Sequence, residues 1–464
     1  MGRLGKITRR TLLIGSAAIA GGVVVGYWRY KTPYENPLLK SLDSGQVALN
    51  PYLRIDQSGI SIIVPRAEMG QGVHTTLAAL VAEELDVSLQ NINVEHGPAS
   101  RAYYNGMLLE EGLFWSSLDT SRIAENARAF SHVPAKFLGM QITGGSSSVP
   151  DAYVKMRKAG AAARAMLLEA AAIKLNEDVA SLRTENGVVI AGGGIRLTYE
   201  SLAELAADIE PSDEPTLKSR LGWKTLGRSL PRVDMRDKCT GVAQYAIDIQ
   251  LPGMLHATVR MNPHLGGAMT SFDWSEAEKM PGVRKILSLE GGIAVIASNT
   301  WYAMQAAKAV SIEWAKAPYP AASAEHFTAL ENAFSDDHDS QLRDDGDVDQ
   351  ALQNATVIEG EYRVPYLAHA TMEPMNAVAV LRGDKLEVWA GNQNPTMAVK
   401  AAAKAADVDP DNVTVHTMMM GGGFGRRSEM DFVSLAAGIA AAMPDIPVKT
   451  TWSREEDIQH DTYR

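Results

Sequence analysis

Residues 68–86 read Glu-Met-Gly-Gln-Gly-Val-His-Thr-Thr-Leu-Ala-Ala-Leu-Val-Ala-Glu-Glu-Leu-Asp. Just before them, Ile60, Ile62 and Val64 alternate as in a half-buried strand. Just after the glycines, Leu77, Leu80, Val81 and Leu85 recur at helical spacing. Thr75 or Thr76 can cap that helix, and Glu83 and Glu84 fall mainly on its outer side. The stretch is therefore strand, Gly-x-Gly turn, helix. Gly70 and Gly72 allow positive φ and close approach of a ligand to the backbone. The N–H groups opening the helix favour an anion such as phosphate. Gln71, between the glycines, can both donate and accept, and His74 lies one turn on.

Working outward, two further segments share this design. Gln141-Ile-Thr-Gly-Gly-Ser-Ser-Ser148 places Gly144, Gly145, Ser146, Ser147 and Ser148 ahead of an Ala-rich helix expected over 152–175, with Ser148 and Pro150 suited to its start. Gly421-Gly422-Gly423-Phe424-Gly425-Arg426-Arg427 follows a strand-like stretch, Val413–Met418. Any one of the three is compatible with a plain turn. The third lacks the dinucleotide fingerprint, which would need glycine at Ser428, and no segment carries the Walker lysine. Together they point to phosphate or dinucleotide binding without a Rossmann or P-loop frame.

Strands and helices mix over 51–215 after a linker at 31–50. Residues 208–232, rich in Pro, Gly and charge, read as a boundary. A compact α+β module follows over 233–316, with strands at Leu255–Met261, Val283–Leu289 and Ile293–Ser298. Seven aspartates fall between Asp336 and Asp349. An EF-hand reading fails there, because Gln341, Arg343 and Asp345 occupy the positions before Gly346, and a solvated linker fits better. Residues 350–464 form a last region, with helices near 396–406 and 430–443.

The chain has 464 residues, a net charge of −11 and one cysteine. That balance argues against a nucleic-acid partner. One cysteine excludes a disulfide framework, and also a four-thiolate iron–sulfur cluster held by this chain alone. Cys239 reads as a small, buried residue, and His74, His369 and His460 as hydrogen-bonding or packing groups rather than metal ligands. Met372-Glu373-Pro374 offers either a carboxylate near a site or a structural salt bridge. At the N-terminus, basic Arg3, Lys6, Arg9 and Arg10 precede residues 11–28, which carry no charge. Residues 1–30 read as a twin-arginine export signal, retained as an anchor if uncleaved, and imply a periplasmic protein folded around a cofactor before export.

These motifs resemble those of a known family. EMGQGVHTTLAALVAEELD (68–86), TGGSSS (143–148), KCTGVAQYAIDIQLPGMLHA (238–257), HATMEPMNAVA (369–379), GGGFGRR (421–427) and WSREEDIQHDTYR (452–464) stand in the order seen in the molybdopterin-binding large subunit of the molybdenum hydroxylases. That is the xanthine oxidase and aldehyde oxidase superfamily, and the match is to its isoquinoline 1-oxidoreductase beta-subunit type, over about residues 50–464. The resemblance implies an α+β multidomain fold, with molybdopterin-binding domains flanking an α/β hammerhead domain at 233–316. It implies a molybdenum cofactor in the cytosine dinucleotide form. Gly70, Gln71 and Gly72 would touch its pterin or phosphate part, with His74 beside them, and Gln141 with Gly144 to Ser148 its pyrophosphate end. Gln393 would hydrogen-bond an oxygen ligand of the metal, and Gly422, Gly423, Phe424, Gly425 and Arg426 would lie against the metal centre. Arg464 falls near a position that can face substrate.

The implied reaction is hydroxylation of an electron-poor carbon, in an N-heterocycle or aldehyde, with oxygen from water. A glutamate serves as base, and electrons leave through 2Fe-2S clusters on a small partner subunit to a cytochrome or other acceptor. Two departures stand out. The Gly-x-Gly-Glu motif of that glutamate does not occur, so the chain is expected to be the N-terminal portion of a longer subunit. The glycine loop ends in Arg426-Arg427 instead of the Lys-Glu of purine-oxidising relatives, which puts purine recognition in doubt. A cofactor-binding or assembly module without turnover remains the alternative to a catalytic subunit.

Overall fold

The computed structural model describes residues 29–464 apart from 114, 116–117, 335–336, 338–339, 341–345 and 464. Arg9-Arg10, the uncharged stretch 11–28, the positions tested for calcium at 341–345 and Arg464 lie outside the described residues. The chain divides into two compact units. The first comprises residues up to Met254 together with Thr371–Thr450, and the second Leu255–Ala370 with Thr451–Arg464.

In the first unit, β1 (Val47–Asn50), β2 (Leu53–Asp56), β3 (Gly59–Val64) and β4 (Ile92–His96) form one sheet in that order. β1–β2 and β2–β3 are antiparallel, and β3–β4 is parallel. The parallel crossover carries helix α1 (Val73–Leu85). Helices α2 (Arg122–Leu138) and α3 (Ser148–Leu175) follow. Leu53, Ile55 and Ile62 from the sheet, Leu77 and Val81 from α1 and Met156 and Leu167 from α3 share one core and are almost wholly buried. Each such side chain contributes about 1.5–3 kcal/mol over exposure.

α1 departs from the sequence reading at both ends. It begins at Val73 behind Gly72, whose φ is +83°, and neither threonine caps it. Thr75 Oγ1 accepts from Val233 N, and Thr76 Oγ1 donates to Gly72 O. Glu83 and Glu84, expected outward, are 2% and 0% exposed. The reason is that α1 is covered on more than one side. Arg157 of α3 donates through Nε to Glu84 Oε1 at 2.8 Å, while Lys218 N donates to Glu84 Oε2 at 2.9 Å. Lys224 N and Thr225 N donate to Glu83 Oε2. Residues 208–232, expected as a boundary, thus strap onto α1 inside the first unit. α3 comes so close to α1 that a Cβ on Gly160 would stand 2.6 Å from Val81 O.

The later part of the first unit adds strands Asn376–Arg382 and Lys385–Ala390, antiparallel, and Val413–Thr417, parallel to the second of these. Helix Pro395–Ala406 makes the parallel crossover, with Asp431–Ala441 packed against it.

In the second unit, strands Leu255–Met261, Gly292–Ala297 and Val283–Leu289 are antiparallel neighbours covered by helix Thr300–Ala309. The strands read from sequence fall here, but the division differs from the expected 233–316 and 350–464: residues 233–254 belong to the first unit, and residues up to Ala370 and 451–464 to the second. Glu456 Oε2 accepts from Met261 N at 3.0 Å, and burial pushes its carboxyl above the usual range. His460 Nε2 meets Asn262 O at 2.7 Å, and His369 Nδ1 meets Asp461 Oδ1 at 2.8 Å. Both histidines are hydrogen-bonding groups of the frame, as expected. Cys239, expected buried, is exposed.

Candidate functional site

All three glycine-rich segments meet within the first unit. Thr143 is the junction. Its Oγ1 accepts from Ala67 N at 2.9 Å, tying the second segment to the first. Its backbone N–H donates to Gln393 O at 2.8 Å, and Gln393 Nε2 donates to Thr143 O at 2.9 Å. Gln393 Oε1 accepts from Gly425 N at 3.1 Å, which brings in the third segment. The first and third also bond directly, Met420 N to Glu68 O at 3.1 Å. A Cβ on Gly423 would stand 2.8 Å from both Gln393 Oε1 and Met69 Sδ. Glycine there is a condition of the convergence.

Around this junction lies a cavity of about 410 Å³, with Met69, Gly144, Gly145, Gln393, Phe424 and Gly425 among its walls. Pockets for small molecules and cofactors fall in this size range, about 300–1,000 Å³. A second hollow of about 500 Å³ shares Gly145 and Ser147 with it and extends past Ser146 to Glu110, Trp115 and Arg128. Gly145 and Ser146 have φ of +58° and +53°. Ser147, next in the chain, is right-handed at φ −87°, and adjacent residues of opposite hand can turn successive N–H groups to one side and form an anion-binding concavity. Phe424 is held at φ +55° and is more than half exposed. A phenylalanine kept in that region carries local strain of about 1–3 kcal/mol, a feature of binding sites.

Each residue singled out from sequence now has a place. Gly144, Gly145, Ser147, Gln393, Phe424 and Gly425 line the cavity, and Ser146 the adjoining hollow. Ser148 is the first residue of α3. The Ser147 hydroxyl is engaged internally, donating to Gly144 O and accepting from Asn105 Nδ2. Gln71 closes its own loop: Oε1 accepts from Met69 N and Nε2 donates to Ala67 O. Gln141 is buried, accepting from Ser100 N and donating to Pro65 O. His74 is buried, and burial lowers its pKa. Gly422 O accepts from Arg427 Nε, and Arg426 forks onto Asp431 at 2.9 and 2.8 Å. Neither arginine is among the residues lining the cavity.

The anion expected at the start of α1 is supplied by the chain. Glu68 Oε1 accepts from Gly70 N at 2.9 Å and Gly72 N at 3.0 Å, and Oε2 accepts from His74 N at 3.1 Å. The reading of this helix start as a phosphate cradle is corrected accordingly, because a carboxylate already holds those donors. Arg232 Nη2 bonds the same carboxylate at 3.1 Å and Asp234 at 2.6 Å, and the hydrogen bond from Arg232 holds Asp234 well below the usual carboxylate range.

Sequence reasoning missed Glu68, Thr143 and the role of Arg427 as partner in the structural salt bridge that Met372-Glu373-Pro374 offered. Glu373 Oε2 accepts from Arg427 Nη2 at 3.0 Å and from Gly421 N at 2.9 Å, which settles Glu373 as structural. The signal for Glu68 is a carboxylate two residues before a Gly-x-Gly at a helix start. Thr143 and Arg427 lie inside the quoted motifs but carry no pattern of their own. Among the described residues, no group of three His, Cys, Asp or Glu is placed to hold a metal ion.

Residues 333–464 and residues 20–107 each match a family described as molybdopterin cofactor-binding domain. The chain is 29% identical to the beta subunit of isoquinoline 1-oxidoreductase from Brevundimonas diminuta, over 90% of this chain and 56% of that protein. It is 28% identical to a nicotinate dehydrogenase subunit from Pseudomonas putida, over 84% of this chain and 31% of that one. It is also 28% identical to membrane-bound aldehyde dehydrogenase (pyrroloquinoline-quinone) of Gluconacetobacter polyoxogenes, over 100% of this chain and 58% of that one. The chain thus spans a little over half the length of the first and third of these relatives and about a third of the second.

Proposed function

We propose that this chain, which resembles the molybdopterin-binding subunits of molybdenum oxidoreductases, seats a molybdopterin cofactor in the cavity around Gln393. The single observation carrying the reading is the convergence of three glycine-rich segments, through Thr143 and Gln393, on that one cavity.

The residues fit such a group. No atom lies within 4 Å of where a Cβ on Gly144 would stand, so this glycine leaves room that packing does not use. Gln393 has two Nε2 hydrogens. One goes to Thr143 O, and the other is available to an acceptor in the cavity. Phe424 and Gly425 line the cavity beside Gln393. The hollow beside Gly145 and Ser146 has the space and backbone turn for a pyrophosphate and nucleotide, which supports the dinucleotide form, cytosine by the family resemblance.

When bound, the molybdenum cofactor supplies the two-electron oxidation of a substrate carbon with oxygen from water. The protein orients and encloses it. Substrates of the N-heterocycle or aldehyde class are favoured by the names of the relatives. Electrons pass to a small 2Fe-2S subunit and on to a cytochrome or other acceptor, since one exposed cysteine cannot hold such clusters here. The α/β module in the second unit serves as the family's hammerhead domain. Export by the twin-arginine route to the periplasm, with residues 11–28 kept as a membrane anchor, fits the N-terminal sequence and the membrane-bound relative.

Metal and nucleotide analysis of the purified protein tests the reading. Molybdenum with an equal amount of acid-released CMP is the expected result. A protein that carries neither, or a quinone in their place, overturns it.

A further inference from the structure

The hollow of about 500 Å³ beside Gly145 and Ser147 has a second wall, which carries Glu110, Trp115 and Arg128. Glu110 stands on the short helix Gly106–Gly112, which packs against α2, and Arg128 and His132 lie one turn apart on α2. This wall is fastened to the second glycine-rich segment and to the helix behind it. Asn105 Nδ2 donates to Ser147 Oγ at 2.6 Å, and Gly106 N donates to Asp151 Oδ1 at 2.7 Å.

Glu110 is engaged through one oxygen. Its Oε1 meets His132 Nε2, and among the described residues nothing donates to Oε2. Its side chain is only 14% exposed, so water reaches it mainly through the hollow. A largely buried carboxylate oxygen is stabilised by a donor, and leaving it without one is costly. Arg128, whose Nη2 also donates to Asp119 O, adds a positive group to the same wall. Trp115 adds an aromatic ring, a surface on which a flat heterocycle stacks.

We propose that Glu110 reads the base of the dinucleotide and selects cytosine, its Oε2 accepting from the 4-amino group. The proposal rests on the reading above that this hollow takes the nucleotide of the cofactor. Cytosine offers an amino donor that a carboxylate oxygen accepts. Guanine carries two N–H donors side by side, which would call on both carboxylate oxygens, and His132 already engages Oε1. Uracil has a carbonyl where cytosine has the amino group, and would set acceptor against acceptor. The selection therefore comes from one oxygen whose position His132 fixes.

The test uses the full chain purified from a host that makes no molybdenum cofactor, titrated calorimetrically with CDP, UDP and GDP. All three carry the same pyrophosphate, and CDP and UDP have nearly the same shape. E110Q keeps an oxygen for His132 and turns the acceptor facing the hollow into an amide donor; circular dichroism checks its fold. The parent chain should bind CDP at least about tenfold more tightly than UDP or GDP. In E110Q the ratio of CDP to UDP affinity should fall to about one or below. Damage to the fold would weaken both nucleotides and leave that ratio as it was. Equal affinity for CDP and UDP in the parent, or an unchanged preference in E110Q, overturns the role of Glu110 and leaves the cofactor reading standing. Failure of all three nucleotides to bind overturns it too, and the molybdenum and CMP content of the chain from a cofactor-making host then shows whether the cofactor reading falls with it.

Discussion

Thr143 and Gln393 hold each other at two points, backbone N–H to carbonyl in one direction and side-chain amide to carbonyl in the other, at 2.8 and 2.9 Å. They are 250 residues apart in sequence. The pair ties the three glycine-rich segments together, because Thr143 Oγ1 also receives Ala67 N and Gln393 Oε1 also receives Gly425 N. Replacing Gln393 with Ala leaves Thr143 O and Gly425 N without these partners in a buried place. A cost of about 1–3 kcal/mol is expected, read as a lowered denaturation midpoint. Molybdenum and CMP content should fall more than stability alone explains. Near-normal content in Q393A would refute the role assigned to this side chain.

Glu68 acts as an internal anion at the start of α1. In E68Q the charge is lost while the shape is kept, so Arg232 retains Asp234 but not its second carboxylate. Charge-assisted hydrogen bonds are about twice as strong as neutral ones, and a loss of about 1–2 kcal/mol is expected. E68A goes further and exposes the donors of Gly70, Gly72 and His74. Inorganic phosphate should then raise the melting temperature of E68A while leaving the parent chain unchanged. An equal response in both proteins would mean that Glu68 does not occupy an anion position.

Much of this architecture is legible from sequence where periodicity is strong. The strand Ile92–His96, the helix Ser148–Leu175 and the strands Leu255–Met261 and Val283–Leu289 follow from alternation or helical spacing. The three glycine segments are legible as exceptions to that spacing. What pattern does not carry is partnership across the chain. Glu83 and Glu84 look like solvent-facing charges until Arg157 and residues 218–226 cover them. Gln71 and Gln141 read as ligand contacts because amides suit ligands, and the sequence does not reveal that the same amides bond the loop carbonyls Ala67 O and Pro65 O. Cys239 looks buried from the average behaviour of cysteine, which says nothing about one exposed position on the short helix Met235–Thr240.

Gly160 is a packing requirement, and its φ plays no part. A methyl group there would meet Val81 O at 2.6 Å and Glu84 Cβ at 3.0 Å. Backbone cannot yield as a flexible side chain can, so α3 would have to move from α1. G160A should destabilise the first unit by about 1–3 kcal/mol despite the better helix propensity of alanine. Chemical denaturation followed by circular dichroism checks this. A neutral or stabilised G160A would show that the two helices separate freely.

His96 makes stability depend on pH. Its Nδ1 meets Gly97 O at 2.6 Å, its ring lies beside that of His74, and burial pushes its pKa down to about 3. An unfolded histidine titrates near 6.5. The folded state therefore binds a proton less readily than the unfolded state. The stability from keeping His96 neutral is fully present above about 6.5 and is lost as pH falls toward 3. One such group gives a slope of about 1.4 kcal/mol per pH unit in that window. From pH 6.5 to 4.5 the loss is therefore about 2 kcal/mol, because the unfolded histidine is already half protonated at 6.5. His74, lowered by its own burial, steepens the slope in the same direction. H96N keeps a donor for Gly97 O but does not titrate. Urea titrations at a series of pH values should show a shallower decline for H96N than for the parent chain, by about one proton. Parallel curves for the two proteins would mean that His96 is protonated as easily in the folded chain as in the unfolded one.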